Sequence, residues 1–133
     1  MEAYMMKWEF KDGIPIYLQI ISHMRNDIAS GVMPPGSRIP PVRAFAGEIG
    51  VNPNTMQRAL TQLESEGLLY TQRTNGRFVT EDESVMKKLR DDLSEAYIRE
   101  LFRNLERLGM NRGDIVEAVS RWGKQPEDAP AGK

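Results

Sequence analysis

The side chains best suited to recognition chemistry cluster tightly: Asn52, Asn54, Thr55, Gln57 and Arg58. Amides can pair bidentately with adenine, a guanidinium with guanine, and threonine with a thymine methyl or a phosphate. At about 100° per residue, a helix with Met56, Leu60 and Leu63 inward points Asn54, Arg58 and Thr61 directly outward. Thr55, Gln57 and Gln62 flank them. These are short or planar hydrogen-bonding groups, whereas an ordinary solvated face mixes Glu with Lys. A polar helix face often meets only water, so the neighbouring elements must decide what this one touches.

Other reactive residues are placed less productively. Asp91-Asp92 and Glu81-Asp82-Glu83 are carboxylate clusters with no nucleophile or base nearby in sequence, and they fit a solvated face and a helix start. Ser22, Thr55 and Ser65 belong to no readable triad. His23 is the single histidine, with Asp27 four positions on, which is far short of a zinc site. The chain has no cysteine and no glycine-rich phosphate loop. Eight methionines, among them Met24, Met56, Met86 and Met110, fall where core filling is expected; Met5-Met6 can mark an alternative start. We therefore expect no enzyme, no cofactor and no metal.

Several elements must position the recognition cluster. Residues 1–13 read as extended, with Trp8 and Phe10 alternating against charged neighbours before the Asp12-Gly13 turn. Pro15 to Ser30 carries Tyr17, Ile20, Ile21, Met24 and Ile28 at helical spacing and stops at Gly31. Pro34-Pro35-Gly36 forces a loop. Pro41–Ile49 predicts a second helix with Val42, Phe45, Ala46 and Ile49 on one face, ended by Gly50. Asn52 as N-cap, Pro53 at the first position and Gly67 at the end frame the third helix, whose core stripe is Met56, Ala59, Leu60 and Leu63. Leu68–Gln72 and Arg77–Thr80 are β-prone and separated by Arg73-Thr74-Asn75-Gly76, a strong hairpin signal.

Beyond residue 80, apolar positions recur every three or four residues from Val85 to Leu108, predicting a helix of about 24 residues for which Ser84 can act as cap. Asn111 and Asp114 open a last helix bearing Ile115, Val116, Val119 and Trp122. Lys124–Lys133 reads as a loose tail. The long helix is apolar over more than one 12-residue partner can cover. Leu93, Tyr97, Leu101, Phe102, Leu105, Val119 and Trp122 are thus expected to meet a second copy of the chain rather than fold back on the rest.

Composition permits this reading. At 133 residues, 40% hydrophobic and 28% charged, the chain can bury a core, and no apolar run approaches a membrane span. With no signal peptide, it reads as cytoplasmic. Net charge is −1, but residues 38–80 hold five arginines against three glutamates and are +2, which allows a DNA-facing half.

Residues 14–80 resemble the winged helix-turn-helix domain of GntR-family bacterial transcriptional regulators. The likeness is carried by Pro15-Ile16-Tyr17-Leu18-Gln19-Ile20, Pro35-Gly36-Ser37-Arg38-Ile39-Pro40-Pro41-Val42-Arg43, Val51–Ala59, Leu63–Leu68 and Asn75-Gly76-Arg77-Phe78-Val79. The Asn-Pro-Asn-Thr element and the short two-helix tail resemble the YtrA subfamily, which implies C-terminal dimerisation without a large ligand domain. The resemblance implies DNA contacts for Arg43, Thr55 and the wing glycine, Gly76. Pro41 stands where the family usually has serine, Asn52 and Pro53 where many members have Ser/Thr and Arg, and Gln57 where many have a second arginine. Fewer charges at the site imply a shallower salt dependence.

The expected fold is mainly α with a small β-hairpin wing: a winged helix-turn-helix domain over residues 1–80, a two-helix dimerisation module over 81–123 and a tail over 124–133. The expected function is a homodimeric, sequence-specific DNA-binding regulator, a repressor, on a pseudo-palindromic operator. Asn54, Thr55, Gln57 and Arg58 would read bases, while Arg43, Asn52, Arg73, Asn75, Gly76 and Arg77 would hold the backbone. A small-molecule effector would have to bind at the dimer seam or between modules, because roughly 50 residues after the wing are too few for an enclosed pocket. The alternative is a winged-helix module that docks a protein without binding DNA.

Overall fold

The computed structural model describes residues 8–126. Met5-Met6 and the end of the expected tail, residues 127–133, lie outside the described residues. The elements run α1 Ile16–Ser30, β1 Arg38–Ile39, α2 Val42–Ile49, α3 Pro53–Ser65, β2 Leu69–Gln72, β3 Gly76–Val79, α4 Glu83–Arg107 and α5 Arg112–Gly123. The chain divides into two compact units between Asp91 and Asp92, inside α4, whereas the sequence suggested a division at residue 80. Buried Met86 and Leu89 give the first turns of α4 to the N-terminal unit.

In that unit α1 and α3 pack against each other, and α2 packs on α3. Ile20, Ile21, Met24 and Ile28 from α1 meet a core with Phe45 and Ala46 of α2 and the stripe Met56, Ala59, Leu60 and Leu63 of α3, all buried. The predicted α3 stripe is thus the observed one; on α2 the outer members Val42 and Ile49 are only half-buried. Arg25 of α1 closes on Glu66 beyond the end of α3, its Nε donating to Oε1 at 3.0 Å. Between α2 and α3, Gly50 takes φ 87°, a conformation that glycine adopts at no steric cost, and its N–H donates to the Ala46 carbonyl at 2.8 Å.

The expected hairpin is part of a three-stranded antiparallel sheet ordered β1-β3-β2. Strand β1, in the stretch between the Pro34-Pro35-Gly36 loop and the second helix for which no element was expected, pairs Arg38 with Phe78 and Ile39 with Arg77. On the other side Thr71 pairs with Arg77 and Gln72 with Gly76. Residues 8–11, part of the stretch expected to be extended, pair with no strand. They are an irregular segment pinned by buried Gln19, whose amide bonds both the N–H and carbonyl of Lys11 and the Ile14 carbonyl.

Two cap expectations fare differently. Asn111 and Asp114 make a complete capping box on α5. At the start of α4, Asp82 takes the role expected of Ser84: its Oδ1 accepts from the Ser84 N–H at 2.9 Å and the Ser84 hydroxyl at 2.7 Å. A carboxylate one position before the helix reaches the free N–H groups of the first turn, which a residue inside the helix cannot.

Candidate nucleic-acid interface

Helix α3 starts where sequence chemistry says it must. Pro53 at N1 gives up an N–H that no helix partner would have used, and Asn52 Oδ1 accepts from the Asn54 N–H at 2.7 Å. Burying Met56, Ala59, Leu60 and Leu63 turns Asn54, Gln57, Arg58, Thr61 and Gln62 into solvent, with Thr55 half-buried at the edge. Gln57 Nε2 donates to Thr61 Oγ1 at 3.1 Å, so the face is organised along its length. Arg58 lies with its guanidinium carbon 3.6 Å from the ring centroid of Tyr17 on α1, a cation–π contact that sequence pattern could not reveal.

Arg43 is exposed in the first turn of α2. In the wing, Arg73 and Asn75 are exposed, and Asn75 Nδ2 donates to Gln72 Oε1 at 3.1 Å. Arg77 is brought elsewhere. Cross-strand partners share a face, and Arg77 opposes Ile39, which is buried. It therefore turns toward α3, where its Nε donates to Glu64 Oε1 at 3.2 Å, and its side chain is only 19% exposed. The other Glu64 oxygen accepts from the Thr71 hydroxyl at 2.7 Å, so one carboxylate at the end of α3 braces both wing strands.

The same register exposes a residue absent from the sequence-derived site. Arg38 sits on the face opposite Arg77, and its guanidinium lies alongside Gly76: a Cβ there would meet Arg38 Nε at 3.1 Å. Gly76 has φ 102°, so both its backbone and its missing side chain suit the position. Arg38, Pro40, Pro41, Thr71, Gly76 and Arg77 line an open groove of about 300 Å³. The signal available in sequence was an arginine two residues after the Pro-Gly turn. Only the pairing of β1 with β3 brings it to the wing.

The C-terminal unit holds the residues expected at a dimer seam. Tyr97 and Trp122 are 58% exposed, Val119 43% and Leu101 38%, while Leu93, Phe102 and Leu105 are half-buried. Ile98 and Val116, outside the expected set, are exposed as well. Ile115 of α5 is fully buried. Phe102 is partly roofed by Arg112, whose guanidinium carbon is 5.3 Å from its ring centroid.

His23 and Asp27 have structural partners. Trp8 stacks on His23 at 5.2 Å, the His23 Nε2 is 2.9 Å from the Glu9 carbonyl, and Asp27 accepts from the Trp8 indole N–H at 2.9 Å. Among the described residues no cluster of three or more metal-ligating side chains occurs, and no helix is long and apolar enough to cross a membrane.

Residues 16–79 match the family model described as bacterial regulatory proteins, gntR family. The chain is 30% identical over 136 residues to the HTH-type transcriptional repressor YtrA of Bacillus subtilis, covering 97% of this chain and 98% of YtrA. Among solved structures, a GntR family transcriptional regulator from Listeria monocytogenes aligns with TM-score 0.74 and 32% identity over 84% of this chain and 98% of that one. AraR(DBD) in complex with operator ORX1 aligns with TM-score 0.50 and 28% identity over 54% of this chain and 93% of that one. These relatives and fold neighbours are transcriptional regulators, not enzymes.

Proposed function

Because the chain belongs to the gntR family of bacterial regulatory proteins, which are DNA-binding transcriptional regulators, we propose that it is a repressor that binds a pseudo-palindromic operator as a homodimer. The carrying observation is the outward face of α3: amide, hydroxyl and guanidinium groups opposite a fully buried stripe, on the second helix of a helix-turn-helix. Such a helix enters a major groove and reads base edges from its N-terminal turns. Asn54, Thr55, Gln57 and Arg58 take that role. Arg43 and Asn52 meet phosphates beside it. Arg73, Asn75 and Gly76 bring the wing to the neighbouring backbone, joined there by Arg38. Arg77 contributes by bracing the wing through Glu64.

Dimerisation through Leu93, Tyr97, Leu101, Phe102, Leu105, Val119 and Trp122 supplies the two-fold that a pseudo-palindrome requires. Residues 1–80 would serve DNA and 81–123 the dimer, with the first turns of α4 packed into the N-terminal unit, and 124–133 would be a tail. An effector, where one acts, would lie at the dimer seam.

The test is selection of a duplex from a random library by the full chain, then mobility shift with excess scrambled competitor. Competitor-resistant retention with a two-fold symmetric footprint is expected. No selected sequence and no shift at micromolar protein would overturn the reading and favour a protein-docking module instead.

A further inference from the structure

Tyr17 stands on α1, outside the helix-turn-helix pair, and carries none of the roles assigned above. Its half-buried ring lies beneath the Arg58 guanidinium at 3.6 Å. The ring's position relative to α3 is well fixed. Ile20, Ile21 and Met24 bury one side of α1 in the same core as Met56 and Leu60, and Arg25 ties the far end to Glu66. Stacking occupies the flat face of a guanidinium and leaves its N–H edge outward, and all its donors lie in that plane. An edge so held can take two acceptors at once, either guanine O6 and N7 or a pair of phosphate oxygens. An unrestrained arginine must give up rotamer freedom to do the same, which costs affinity.

We propose that Tyr17 is a positioning residue for operator recognition, holding Arg58 flat on its ring so that the guanidinium edge meets a guanine in each half-site. This rests on the assignment of α3 as the reading helix. It extends the recognition surface to α1, and it makes the identity of the base opposite Arg58 depend on a residue that touches no base. The aromatic ring does this, not the hydroxyl, so phenylalanine should serve equally and an aliphatic side chain of similar size should not.

The experiment uses the full-length protein, a duplex selected from a random library by the parent, and a scrambled duplex of equal length and composition. Tyr17→Leu should weaken binding to the selected duplex by about two- to fivefold per half-site while leaving the scrambled duplex unaffected. Tyr17→Phe should keep the parental ratio of the two affinities. Tyr17→Leu combined with Arg58→Ala should bind no worse than Arg58→Ala alone. Parental specificity in Tyr17→Leu would overturn the proposal, as would a loss in the double variant that adds to the single one. An equal loss on both duplexes would place the Arg58 edge on phosphate and overturn the guanine assignment. Because each variant is judged by a ratio of affinities, reduced fold stability cannot imitate the effect. Failure of the parent to select any duplex would instead sink the DNA-reading assignment itself.

Discussion

A side chain that reads a base and one that grips a phosphate fail differently when truncated. Thr55→Ala and Arg58→Ala should each cost about 1–3 kcal/mol on the selected operator and little on scrambled DNA, measured by competition mobility shift. An equal loss on both duplexes would show that neither reads sequence. Arg38 is the opposite case. Beside Gly76, at a groove in the wing and distant in sequence from the reading turns of α3, its guanidinium suits a phosphate. Arg38→Ala should weaken binding to every duplex alike. Each neutralised phosphate contributes about 0.9 to the slope of log affinity against log salt, and a dimer carries the residue twice, so the slope should flatten by about 2. A slope matching the parent's, from titrations at several salt concentrations, would remove Arg38 from the backbone contacts. The shallow parental slope expected from Pro53 and Gln57 follows from the same count, because neither offers a cation.

At the level of elements, the start of α4 makes a separate prediction. The Ser84 hydroxyl and the backbone N–H groups of Ser84 and Val85 hold the Asp82 carboxyl below its usual range. A carboxylate whose folded pKa is depressed stabilises above its unfolded value, near 3.8, and that contribution disappears as pH falls through the lower folded value. Asp82→Ala should therefore melt earlier than the parent at neutral pH by circular dichroism, and the gap should close under acid. A gap that persists well below pH 3.8 would mean that the carboxylate is not what secures this end. Elements with local signatures were legible in sequence: the stripe of α3, the Asn52–Pro53 start, the Asn-Gly wing and the Asn111–Asp114 box all depend on residues within a turn or two. The features missed depend on distant partners. Two-residue β1 exists because β3 pairs with it. Arg77 faces α3 because the register puts it opposite Ile39. Tyr17 reaches Arg58 only through the packing of α1 on α3. In the candidate site, residue types were readable, but which arginine turns outward was not.

For the whole molecule, the proposal of two clasped protomers has a consequence that symmetry sharpens. On α4, Tyr97, Ile98 and Leu101 are exposed within about one helical turn, and on α5 Val116, Val119 and Trp122 recur every three residues. Exposed apolar stripes of this kind support the proposed interface. In a two-fold seam each residue occurs twice, so Leu101→Glu removes two leucine contacts, each covering the 38% of the residue still exposed in a protomer and contributing about 0.6–1.1 kcal/mol, and sets two carboxylates into the contact. With the desolvation of those carboxylates added, the dimer dissociation constant should rise by about two orders of magnitude or more. In sedimentation velocity the parent should run at twice the 15.1 kDa protomer mass and the variant at the protomer mass. DNA binding reports the same change independently. Joining two reading helices turns the second half-site contact into an intramolecular one at millimolar effective concentration. The parent should therefore prefer a full operator over a single half-site by a large factor, and Leu101→Glu should bind both alike while its N-terminal unit stays folded. A variant that sediments with the parent and keeps that preference would move the seam away from Leu101; a parent that sediments as a protomer would remove the dimer, and with it the reason for a symmetric operator.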